Sequence, residues 1–168
     1  MIEDSLFDEN DFDLFGPEDK LNTLGENVEK DAIQKRKVKV LVVDDDKDIH
    51  TITHLTLSDF EADQWKVDLI DAYSGKEAIE IVSNTNDVMI ILLDIVMETE
   101  HAGLDVVKYI REELLNEKVK IVVRTGQAGQ LTEESVKKGF AINGFQHKAS
   151  LTANQLKTEL KHQLEHFI

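Results

Sequence analysis

The stretch KVLVVDDDKD, residues 39–48, decides the fold. Val40, Leu41, Val42 and Val43 form an unbroken apolar run, the pattern of a strand buried on both faces of a parallel sheet. Asp44, Asp45 and Asp46 follow at once, with Asp48 close behind. Two carboxylates ~5 Å apart repel by roughly 3 kcal/mol at an effective dielectric near 20, so such a cluster against the core needs a reason, usually a cation, the alternative being a cluster that only caps the first helix.

The same punctuation recurs along the chain. Apolar runs lie at 38–43, 67–73 (VDLIDAY), 88–93 (VMIILL), 119–123 (VKIVV) and, more weakly, 142–147 (INGFQH). Between them run amphipathic stretches. Ile49, Ile52 and Leu55 share one helical face, and Leu104, Val107, Ile110 and Leu114 share another. Ser74 with Glu77 and Thr152 with Gln155 make capping boxes, the second opening a helix lined by Leu156, Leu160, Leu164 and Phe167. A short, poorly apolar helix is expected around 132–138. Five βα units in succession predict an α/β fold, a doubly wound five-stranded parallel sheet in a (βα)5 three-layer sandwich.

Sites in open α/β sheets form beyond the carboxyl ends of the strands. The first strand delivers Asp44 and Asp45 there, the third Asp94, the fourth Thr125 and the fifth Lys148. Clustered carboxylates make a hard oxygen site suited to Mg²⁺ held by few protein ligands and several waters. Beside such an ion one carboxylate can act as a nucleophile toward phosphorus, with a lysine and a hydroxyl to hold the phosphoryl oxygens. Asp46 and Asp48 read as N-cap residues of the first helix.

Composition narrows the function further. The 168 residues carry a formal net charge of −15 and no cysteine. That balance disfavours nucleic acid and anionic membrane surfaces, which need a basic face, and the lack of cysteine fits a reducing cytoplasm. The N-terminus has neither the basic nor the apolar region of a signal peptide, and no apolar run approaches the ~18 residues of a membrane span. Residues 1–36 are acidic, with Phe7, Phe12, Leu14 and Phe15 interspersed. They are expected to form a leader that is disordered alone and folds on a partner, or else a solvated one.

Four motifs, VLVVDDD (40–46), LLDIVM (92–97), VVRTG (122–126) and GFQHK (144–148), stand in an order and at separations that carry a resemblance. Together with AYSGKEAIE (72–80) and GLDVVKYIR (103–111), they make residues 38–168 similar to the CheY-type receiver domain of two-component response regulators, a flavodoxin-like fold. The resemblance implies that Asp94 accepts a phosphoryl group from a histidine kinase or histidine phosphotransfer protein. It implies Mg²⁺ ligation by Asp45, Asp94 and the Val96 carbonyl, with Asp44 acting mainly through water. Thr125 would move to the phosphoryl oxygen, Lys148 would pair with it, and Phe145 would turn inward as Thr125 moves. The fourth helix, fifth strand and fifth helix would carry the signal to an output domain or a homodimer partner.

Several positions depart from the family. Ala149 stands where the family places a cis-bonded proline after the lysine, so a trans bond and a reshaped loop are expected. The run 98–103 (ETEHAG) is more acidic and a residue longer than usual, and could tune partner choice or metal affinity. Val96 and Gln127 occupy positions that govern phosphoryl lifetime in the family, and Val96 cannot orient an attacking water. The sequence stops two residues after His166, which suits either a stand-alone receiver or a piece of a longer protein.

Other readings compete. A receiver-fold interaction module would keep the pocket but misplace Lys148. A hydrolase using an aspartyl-phosphate would want a second acid where Val96 stands. His162 and His166 match an HxxEH zinc pattern, but Leu164 and Phe167 on that helix belong to the core and no third ligand follows. His50 and His54 have the same spacing and read as surface or packing residues.

Overall fold

The computed structural model describes residues 35–62, 64–126, 132–165 and 167. The leader, apart from its last residues, therefore lies outside the described residues, as do Gln127 and His166. Strands are β1 (Arg36–Val43), β2 (Glu61–Ala62), β3 (Trp65–Ala72), β4 (Val88–Asp94), β5 (Lys120–Thr125) and β6 (Gly144–His147). Helices are α1 (Lys47–Leu57), α2 (Gly75–Asn84), α3 (Ala102–Lys108), α4 (Glu133–Gly139) and α5 (Ala153–Glu165). The sheet order is β2-β3-β1-β4-β5-β6. The five longer strands pair in parallel, and only β2 is antiparallel. The five predicted strands are thus present, and a two-residue edge strand is added, too short to leave a periodic signal.

Alternation along β1 explains the three layers. Leu41 and Val43 point into a core with Ile91, Leu93 and Ile121, covered by Ala78 of α2 and by Val106 and Val107 of α3. Val38, Val40 and Val42 point the opposite way, joining Ile90, Leu92 and Val122 under Leu57 of α1 and Leu156, Leu160 and Leu164 of α5. A third cluster of Ile95, Leu104 and Val123 seats Val136, the one buried residue of α4, with Phe145 packed alongside.

The caps match expectation. Ser74 accepts from the Glu77 amide at 3.1 Å, and Thr152 and Gln155 exchange bonds of 2.8 and 3.2 Å. Asp46 caps α1 by accepting from the Asp48 amide at 2.9 Å. Helix α3 runs on into a π-type turn, Tyr109–Glu113, where the expected inward residue Leu114 emerges 37 % exposed.

The inward face of α1 needs correction. Ile52 and Leu55 stand 58 % and 71 % exposed, while His50, Thr53 and Leu57 are buried. Polar side chains can fill an inward stripe when each finds a partner, and here two of the three do. His50 lies 2.6 Å from an Asp71 carboxylate oxygen and 2.8 Å from the Asp44 carbonyl. Thr53 donates to the Ile49 carbonyl at 2.7 Å and accepts from Arg124 at 3.1 Å.

Candidate functional site

The acids gather at the carboxyl edge of β1 and β4. Asp44 is fully buried, Asp94 is buried, and Asp45 is exposed. One carboxylate oxygen from each lies within 4.8 Å of the other two. Asp44 is held in place by its own turn, since its Oδ1 accepts from the Asp46 amide at 3.1 Å. On the other side the Val96 amide reaches Asp94 Oδ1 at 3.4 Å.

Lys148 crosses from the end of β6 to join them. Its Nζ lies 2.6 Å from Asp44 Oδ2 and 2.6 Å from Asp94 Oδ2. Residues Lys148–Ser150 form a single 3₁₀ turn, and no cis peptide bond occurs among the described residues. The trans loop expected at Ala149 therefore still brings the ammonium onto both acids. Thr125 is buried at the end of β5. Phe145 is half-buried, edge-on to the His147 ring with centroids 5.2 Å apart.

Burial holds the Asp94 carboxyl above the ordinary carboxylate range. The hydrogen bond and charge of Lys148 pull the other way, and Asp44 adds to the upward push. The arrangement is a carboxylate that can be neutralised by a proton, an ammonium or a metal ion. A carboxylate so placed has a cation 2.6 Å away.

A tight backbone supports it. Gly103, at the start of α3, donates to the Ile95 carbonyl at 2.9 Å. A Cβ there would overlap the Asp94 carbonyl oxygen and lie 2.7 Å from Ile95 Cα. Only glycine lets α3 approach the strand end this closely. The acidic loop after Met97 is pinned to α2. Glu98 accepts from the amides of Gly75, at 2.9 and 3.1 Å, and of Lys76, at 3.3 Å.

Sequence reasoning missed three participants. Arg124 is 2 % exposed with Nη2 4.0 Å from Asp44 Oδ2, and His50 of α1, itself held by Asp71 of β3, braces the Asp44 carbonyl. A lone arginine inside the apolar run KIVVRT was the available signal. For the two histidines, packing describes His50 and surface describes His54, whose Nε2 lies 2.8 Å from Asp71 Oδ2. His162 is exposed. No described helix is long and apolar enough to cross a membrane.

Comparison with known proteins bears on this geometry. The chain is 48% identical over 121 residues to a 3'3'-cGAMP-specific phosphodiesterase 2 of Vibrio cholerae, a match covering 72% of this chain. It spans only 23% of that relative's length. A signal receiver domain of a LuxO repressor protein from Vibrio parahaemolyticus superposes with a TM-score of 0.63 at 20% identity, covering 78% of this chain and 92% of the other. A Vibrio cholerae chemotaxis protein superposes with a TM-score of 0.59 at 21% identity, over 76% and 98% of the two chains. These likenesses show the fold. Residues 40–161 match the profile of the response regulator receiver domain, and the chain belongs to that family of two-component signalling domains.

Proposed function

We propose that this receiver is a phospho-acceptor switch in which Asp94 takes a phosphoryl group from a phosphohistidine of a cytoplasmic histidine kinase or phosphotransfer protein. An Asp94 oxygen forms the new O–P bond as the donor N–P bond breaks, and the released imidazole takes up a proton. The observation that carries this reading is the position of Lys148, 2.6 Å from both Asp44 and Asp94. An interaction module that had lost phosphorylation would have no need to hold that ammonium on the acceptor.

The donor set suits Mg²⁺. Three carboxylates offer hard oxygens within 4.8 Å of one another, and the exposure of Asp45 leaves room for waters. Asp45, Asp94 and the Val96 carbonyl would hold the ion, with Asp44 acting through water. When bound it would supply charge neutralisation to the phosphoryl oxygens. Lys148 would then shift its contact from the carboxylates to the phosphoryl group, and the Thr125 hydroxyl would donate to it. Phe145 would follow Thr125 inward, changing the face formed by α4, β6 and α5. A groove of about 450 Å³ lined in part by Phe145, His147, Leu151 and Gln155 lies on that face and would be reshaped. The phosphodiesterase relative supports cyclic-dinucleotide turnover as the process under control.

The test is binding of beryllofluoride, an acyl-phosphate mimic, with Mg²⁺ present, followed by amide chemical shifts. Shifts at Thr125, Phe145 and α4 that vanish in Asp94→Asn are the expected result. Mg²⁺ binding without any response to beryllofluoride would leave the interaction-module reading in its place.

A further inference from the structure

Among the described residues Arg124 is the one buried arginine or lysine, and the acceptor chemistry above leaves it without a task. It projects from β5 toward α1, where Nη1 donates to Thr53 Oγ1 at 3.1 Å. Its Nε and Nη2 are buried and make no hydrogen bond. A buried guanidinium with idle donors is costly unless its charge is used. Burial pushes Arg124 below its ordinary proton affinity, and the charges of Asp44 and Asp94 oppose that push. The facing acid has a matching deficit. Asp44 Oδ2 is buried and lies 2.6 Å from Lys148 Nζ as an ion pair, yet it accepts no well-aligned hydrogen bond. Nη2 of Arg124 stands 4.0 Å from that same oxygen.

Lys148 cannot serve two masters. In this structure its ammonium bridges Asp44 and Asp94. Under the acceptor reading, on which this inference rests, a phosphoryl group on Asp94 draws Lys148 away. Asp44 would then be a fully buried carboxylate with no cation in contact. We infer that Arg124 is a positioning residue that takes over Asp44 when Lys148 leaves it, closing the 4.0 Å gap and thereby releasing Lys148 to the phosphoryl group. Because Nη1 is tied to Thr53, the movement pulls on α1. The acceptor state is therefore reported on a second surface, the α1 face that exposes Ile52 and Leu55.

The charge arithmetic gives the device a signature. Asp44, Asp45 and Asp94 oppose two cations, Lys148 and Arg124. Replacing Arg124 with the uncharged, similarly long Met leaves the acids less neutralised, so Mg²⁺ should bind about fivefold more tightly. The same change ties Lys148 to Asp44, so beryllofluoride at saturating Mg²⁺ should bind at least about tenfold more weakly, the worth of one charge-assisted hydrogen bond. A variant that merely loosened the fold would weaken both.

Calorimetric titration of the intact chain with Mg²⁺, and then with beryllofluoride, reads the two affinities. Opposite shifts in Arg124→Met, with Arg124→Lys returning Mg²⁺ affinity to within about twofold of wild type, are expected. Affinities that stay put or move in the same direction would overturn the inference. Should Arg124→Met fail to fold, Thr53→Val decides. Loss of the beryllofluoride-induced amide shifts in α1, with those of Thr125 and Phe145 retained, supports the tie, and undiminished α1 shifts refute it. A wild-type chain that binds neither probe would instead bring down the acceptor reading together with this one.

Discussion

Replacing Lys148 with Met strands an acid. Asp44 and Asp94 share its ammonium at 2.6 Å each, and both are buried. Breaking a buried pair by removing one partner costs about 3–5 kcal/mol. Here the loss has a ceiling, because a stranded carboxylate escapes by taking a proton. At 1.36 kcal/mol per pKa unit, protonating one aspartate of ordinary value 3.9 costs about 4 kcal/mol at pH 7 and only about 1.5 kcal/mol at pH 5. Arg124 lies near enough to Asp44 to relieve that residue, so Asp94 sets the limit. The direction follows by linkage. An acid whose folded value is raised favours the folded state below its unfolded value, and that advantage is lost as pH rises through the folded value. The deficit of Lys148→Met relative to wild type should therefore grow with pH. The expected loss at pH 7 is about 3–4 kcal/mol, a fall in Tm of roughly 10–15 °C for a domain of this size, shrinking by more than half at pH 5. Urea unfolding at the two pH values, with and without millimolar Mg²⁺, measures it, and Mg²⁺ should restore much of the loss. A pH-independent deficit, or one below about 1 kcal/mol at pH 7, would refute the reasoning.

Asp94 is already raised in the wild type, so the metal-free protein should lose stability as pH climbs from the ordinary aspartate value through that raised one. Asp94→Asn should flatten the slope in this window, and denaturant titrations across it will show whether it does. Gly103→Ala should destabilise by about 1–3 kcal/mol despite the better helix propensity of alanine, because its Cβ meets the backbone of Asp94 and Ile95. Gly139→Ala, facing open space at the end of α4, should be neutral or stabilising by up to about 1 kcal/mol, and thermal melts of the pair should separate in sign. With Val96 two residues after the acceptor, the phosphorylated form should outlast many seconds at neutral pH. Phosphate release timed after labelling with a small-molecule phosphodonor would contradict this if complete within seconds.

The strands were legible because β1, β4 and β5 are buried on both faces and their apolar runs have no competing interpretation. Asp44 and Asp94 were legible because they close such runs, whereas Lys148 follows the half-buried GFQH of β6 and was legible through the family resemblance. The α1 face was misread for a physical reason. Periodicity counts apolar residues, and α1 presents its apolar residues outward while His50 and Thr53 go inward to meet Asp71, Asp44 and Arg124. Those partners come from β1, β3 and β5, far apart in the chain, and no local pattern announces them. Within the acidic run 98–103, the Glu98 carboxylate accepts from the amides that open α2, a tertiary contact that the sequence pattern does not announce. Edge strand β2 and the π-type turn after α3 each span only a few residues, below the reach of any repeat.

The placement of charge along the chain has a consequence for biogenesis. All three acids of the pocket belong to the segment ending at Asp94, whereas Arg124 and Lys148 come later. Synthesis proceeds from the N-terminus, so the ribosome releases an excess of negative charge before either side chain that balances it. The half-sheet of β3, β1 and β4 must then stand with its acids protonated, hydrated or gripping a cation until β5 and β6 dock. Docking of the C-terminal portion is thus an electrostatic recognition event as well as a hydrophobic one. A chain divided between α3 and β5 would yield two fragments that seek each other across this seam, and salt would slow their reunion.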